Sequence, residues 1–117
     1  MAYMFERKLY EQMLARLQAT WPQGQFWVYP SEYGEGWMLR AQIRFDRAGN
    51  FVLLDLVSDG RLYFAVPVAY EEGAFTHPAA RRPYSLGLTT TTAPVIVADR
   101  FYEEIRAVYD MTADLLE

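Results

Sequence analysis

Trp37-Met38-Leu39-Arg40-Ala41-Gln42-Ile43-Arg44-Phe45 is the stretch that decides the fold. Side chains on a strand point alternately to opposite faces. Trp37, Leu39, Ala41, Ile43 and Phe45 therefore form one apolar face, and Met38, Arg40, Gln42 and Arg44 a mostly polar one. Such a strand belongs in an antiparallel sheet with one side covered and the other open.

The neighbouring segments extend this reading in both directions. Asp46 to Asn50 is a hairpin loop, and Phe51 to Val57 is apolar on both faces except at Asp55, as a central strand would be. Ser58-Asp59-Gly60 is a tight-turn signal. Arg61 to Val68 is the partner strand, with Pro67 marking an edge or a strand end. On the other side, Pro30 to Gly36 is a turn-rich connection, and Gln25 to Tyr29 is a β-branched and aromatic strand.

Helices flank the strands. Phe5, Leu9, Met13, Leu17 and Trp21, widened by Tyr10 and Leu14, predict a helix over 2–20 that Pro22 and Gly24 stop. Phe101, Ile105, Val108, Tyr109, Thr112, Leu115 and Leu116 predict a closing helix. Asp99 is the preferred N-cap, with Glu103 and Glu104 near the positive end. Thr92, with Ala93-Pro94 opening the helix, is the competing start, and it would make Val95-Ile96-Val97 helical. Between them, Tyr70 to Pro94 has no helical period. A short extra strand is expected near Ser85 to Thr92, because four consecutive threonines favour extended backbone. The expected fold is a single α+β domain over 1–117. It has an N-terminal helix, an antiparallel four- to five-stranded meander and a C-terminal helix, in two layers with both helices on one face of the sheet.

Composition narrows the class. The chain has 117 residues, 52% of them hydrophobic and 16% aromatic, enough for a packed core without staples. It has no cysteine, which excludes disulfides and thiolate metal sites and fits the cytoplasm. Charges arrive by Glu6, unlike a secretory signal, and no apolar run approaches the roughly 20 residues of a membrane span. A net charge of −4 argues against nucleic acid as a partner. Ten of the 11 basic residues are arginine, which suits bidentate and stacking contacts.

Few residues point to chemistry. His77, the only histidine, reads as an exposed turn residue in Thr76-His77-Pro78; the chemical alternative is proton transfer assisted by Glu71 or Glu72. Asp55 interrupts an apolar strand and needs a partner, for which Arg44 and Arg61 on the flanking strands are the candidates. Glu71-Glu72 and Glu103-Glu104 read as solvated surface. Arg81-Arg82-Pro83-Tyr84 is a basic-aromatic cluster able to hold an anion. The fullest signal is aromatic. Of Trp21, Trp27, Tyr29, Tyr33, Trp37 and Tyr63, several lie near the first strands and their turn; the first reading is that they fill a helix-on-sheet core with part of the set left exposed, and the second is a binding patch, in which Trp and Tyr are over-used. No phosphate-cradling glycine loop, nucleophile elbow or metal-ligand spacing is present, so no cofactor is expected.

These features predict a non-enzymatic protein-binding module, an adaptor, chaperone-like or inhibitor protein of a bacterium or phage. The alternative is a small enzyme or anion-binding protein using the 70–94 loop with His77, Arg81 and Arg82. A homodimer is also expected, through the open sheet face. Val52, Leu54 and Leu56, or Phe51, Leu53 and Val57 in the opposite register, would lie there beside Trp27 or Tyr29, unless the 70–94 loop folds back over them. The order of elements, with a strand ending at Pro30, one opening at Trp37 and His77-Pro78 ahead of a helix, resembles ubiquitin-conjugating-enzyme-like and RWD domains. With no cysteine, and Ala79 where that family has asparagine after His-Pro, the resemblance implies a non-catalytic, protein-binding relative. A second likeness is to small acidic secretion chaperones of helix-meander-helix type.

Overall fold

The alternation in Trp37–Arg44 is realised in a five-stranded antiparallel sheet. The computed structural model describes residues 7–44, 51–65, 75, 77–88 and 92–113. Within them lie α1 (Arg7–Thr20), β1 (Gln25–Pro30), β2 (Trp37–Arg44), β3 (Phe51–Val57), β4 (Arg61–Ala65), β5 (Tyr84–Ser85) and α2 (Pro94–Ala113), with a single 3-10 turn at Pro78–Ala80. The strands follow the meander order β1-β2-β3-β4-β5. The proposed hairpin loop 46–50 lies outside the described residues, as do the expected first turn of α1 and the end of the fourth strand beyond Ala65.

Register assigns the faces. Arg44 pairs with Phe51 and Met38 with Val57, so Leu39, Ala41 and Ile43 stand beside Leu56, Leu54 and Val52. All six are fully buried beneath the helices. Tyr10, Met13 and Leu17 of α1 and Val97, Phe101, Ile105 and Val108 of α2 close the core over them. The Tyr10 hydroxyl, which could not be buried alone without cost, donates to the Leu56 carbonyl at 3.4 Å. Gly60, at φ 84, takes the left-handed conformation that closes the β3–β4 turn, its N–H donating to Val57 at 2.9 Å.

Two expectations are corrected. Asp99 is not the cap of the last helix. The competing start holds: Ala93 accepts from the N–H groups of Ile96 and Val97, Pro94 supplies the preset φ, and Val95-Ile96-Val97 is helical. Asp99 instead faces α1 and receives Arg16 through two hydrogen bonds of 3.0 and 3.3 Å, tying the helices together. Among the described residues the extra strand is Tyr84–Ser85, beginning one residue earlier than expected and paired with Leu62 and Arg61; Thr89 to Thr91 lie outside the described residues. Gly87, at φ 70, turns the chain out of the extended conformation immediately afterwards. The alternative to the expected open face, a 70–94 segment folded back over it, is not seen in the described part of that segment. Phe75, Ala79, Ala80 and Leu86 are buried in the helix-side core.

Candidate functional site

The face of the sheet away from the helices is built around one buried carboxylate. The β2–β3 register sets Arg40 directly opposite Asp55, and the β3–β4 register sets Tyr63 on its other side. Asp55 has no exposed surface. The Arg40 guanidinium grips it with two bonds, Nε to Oδ1 at 2.7 Å and Nη2 to Oδ2 at 2.9 Å. The Tyr33 hydroxyl donates to the same Oδ2 at 2.5 Å. Arg40 Nη2 also reaches Glu32 at 2.8 Å. This corrects the expected partners Arg44 and Arg61: the six-residue hairpin connection fixes Arg44 opposite Phe51, and Arg61 instead pairs with Asp59 at 3.2 Å.

Aromatic rings surround this pair. Tyr33, carried over the sheet by the loop after β1, stacks on Tyr63 with centroids 3.9 Å apart. Tyr29 on β1 lies under the Arg40 guanidinium, 5.3 Å from its ring centre. Trp27, opposite Arg40 in the β1–β2 register, is 42% exposed, which a ring in a core would not be. Burial, and then the bond to Asp55, pushes the Tyr33 phenol well above its usual range, so it stays a proton donor. Burial also raises Tyr29. Asp55 spends both oxygens on Arg40 and Tyr33. The cluster therefore offers rings and hydrogen-bonding edges, with the half-exposed Glu32 carboxylate at its rim bonded to Arg40. A hollow of about 250 Å³ opens at its end, between Tyr33, Tyr63, Ser31 and the β3–β4 turn.

Trp37 is not part of this face. It lies on the helix side, where the Arg7 guanidinium sits 4.7 Å from its ring. Trp21 is also elsewhere, edge-on to Phe26 and Tyr109.

The other candidates form a separate cluster. His77 is 4% exposed, not the surface residue its loop context predicts. Its Nδ1 accepts from the Ala79 N–H at 3.1 Å, capping the 3-10 turn. The ring proton is thereby left on Nε2, which donates to Glu104 at 2.7 Å. Tyr84 packs on the His77 ring and bonds the same carboxylate; burial first, and Glu104 second, raise its phenol. Glu104, read from sequence as solvated surface, is thus the anchor of the cluster. Glu71 and Glu72, the proposed helpers of His77, lie outside the described residues. Arg81 and Arg82 follow the 3-10 turn and are exposed, while Tyr84 points into the core side. The Arg81-Arg82-Tyr84 run therefore does not converge on one anion.

Among the described residues no group of three metal-ligating side chains occurs, and no helix is long and apolar enough to cross a membrane. Comparison with protein-family models, with curated proteins and with solved structures finds no match. The reading of function therefore stands on geometry alone.

Proposed function

We propose that this chain is a non-enzymatic protein-binding module whose contact surface is the sheet face carrying Trp27, Tyr29, Tyr33, Arg40 and Tyr63. The carrying observation is the clamp of Arg40 and Tyr33 on buried Asp55, with Tyr63 stacked on Tyr33 and Tyr29 against the Arg40 guanidinium. Trp, Tyr and Arg are the residues in which binding energy concentrates at protein interfaces. Rings fixed before binding lose little entropy on association. The face mixes Leu53 and Val57 with Arg40, Gln42 and Asp55, a composition closer to a non-obligate interface than to the apolar seam of a permanent homodimer.

Affinity capture from the native host tests this with three baits: the native chain, Trp27→Ala/Tyr29→Ala, and Val95→Ser/Ile96→Ser. The last alters exposed apolar residues on α2, away from the face. A stoichiometric protein held by the first and third baits and lost from the second supports the reading. A protein held equally by all three refutes it. Light scattering on the free chain separates the homodimer: a mass of 13.6 kDa leaves the face open to another protein.

A further inference from the structure

A second cleft lies at the opposite end of the sheet, where the end of α1, the middle of α2 and the start of β1 meet. Two adjoining cavities, of about 170 and 210 Å³, share Trp21, Gln23 and Tyr109 as their common wall. We propose that this cleft binds a nucleoside monophosphate, with the base against Trp21 and Tyr109 and the phosphate held by Arg44 and Arg106.

The wall is rigid and aromatic. Trp21 is clamped edge-on between Phe26 and Tyr109, each at a centroid distance of 5.8 Å. Tyr109 is 39% exposed, which leaves ring surface for a planar ligand. Cationic groups rim it. Arg106 sits 5.9 Å from the Tyr109 ring, and its one ion pair, to Asp110, is long at 3.8 Å and solvent-exposed. Such a pair holds the guanidinium only weakly. Arg44 is exposed and makes no ion pair with any described residue. The carboxamides of Gln25 and Gln42 line the first cavity together with Arg44. Among the described residues neither has a side-chain hydrogen bond, and each can donate to and accept from the edge of a base.

The three chemistries together select the ligand class. A bare phosphate would leave the rings and carboxamides unused, and a neutral aromatic would leave Arg44 without an ion pair among the described residues and Arg106 with only its long contact to Asp110. A planar base carrying a phosphate uses all three. The cleft borders the protein-binding face at Gln42 but contains none of Trp27, Tyr29, Tyr33, Arg40 and Tyr63, so substitutions at Trp27 and Tyr29 test that face while those at Arg44 and Arg106 test the cleft.

Fluorescence titration of the full chain with adenosine monophosphate, adenosine and inorganic phosphate tests the site. A Trp27→Phe/Trp37→Phe chain leaves Trp21 as the single reporter. Adenosine monophosphate is expected to quench it saturably and to bind more tightly than adenosine or phosphate. Arg44→Ala and Arg106→Ala, each at an exposed position, should weaken it about tenfold with unchanged melting, as loss of a charge-assisted bond does. Absence of a saturable signal up to about 10 mM overturns the proposal, since that lies beyond the weak end of specific binding. Phosphate or adenosine binding as tightly as the nucleotide also overturns it, as does an affinity indifferent to both arginine substitutions.

Discussion

Asp55 and Arg40 face each other across neighbouring strands, one carboxylate with no exposed surface and one guanidinium bonded to both its oxygens. Removing one member of such a pair leaves an uncompensated charge under the sheet. Asp55→Ala should therefore cost about 3–5 kcal/mol, and Arg40→Met/Asp55→Leu should lie within about 2 kcal/mol of the native chain. Urea unfolding of the single and double variants checks this. A single variant as stable as the native chain would show that the pair is not closed in solution.

Leu54 and Leu53 are adjacent on β3 and point to opposite faces. Leu54 is fully buried under the helices, whereas Leu53 is partly exposed beside Gln42 and Ala65. Leu54→Ala should cost about 2–5 kcal/mol, and Leu53→Ala less, because its site can collapse or hydrate. Thermal unfolding distinguishes them, and equal losses would contradict the register.

Much of this architecture is legible in the sequence, for a definite reason. The two-residue alternation of 37–45 and the four-residue spacing of 9, 13 and 17 are each set by one buried face, and burial dominates those segments. What is not legible depends on pairing at a distance. Asp55 can be seen to need a cation, but the choice of Arg40 over Arg44 follows from the β2–β3 register, and that over Arg61 from the β3–β4 register, which sets Tyr63 opposite Asp55. His77 can be seen in a loop, but its burial follows from Glu104, 27 residues away on α2. The alternation of its own strand puts Trp37 on the apolar face, but the exposure of Trp27 follows from the β1–β2 register that sets it opposite Arg40.

His77 and Glu104 should be energetically coupled. His77→Ala removes the cap of the 3-10 turn and leaves Glu104 without its imidazole donor, an expected loss of about 1–3 kcal/mol. Glu104→Gln, which keeps an acceptor for His77, should cost less. A double-mutant cycle by denaturant unfolding should give a coupling of about 0.5–3 kcal/mol. A coupling of zero would place His77 outside this contact.

Stability should fall in alkali. Tyr33 and Tyr84 both hold their protons more tightly when folded than the usual phenol, whose pKa is about 10. Above that pH the unfolded chain releases protons that the folded chain keeps, so each unit of pH favours unfolding. Their contribution is fully present below about pH 10 and is lost as pH rises past it. Melting followed from pH 8 to 11 should show a decline that is smaller in Tyr33→Phe/Tyr84→Phe; an identical decline would contradict the burial of these phenols.

The central claim is that the Arg40–Asp55 clamp arranges Tyr29, Tyr33 and Tyr63 for a protein partner. Calorimetric titration of the captured partner into the native chain and into Arg40→Met/Asp55→Leu tests it most directly, because the variant is expected to keep the fold while losing the clamp. The account predicts a folded variant whose affinity falls by about tenfold or more, the scale of a lost interface anchor. A folded variant that binds the partner as tightly as the native chain would contradict it.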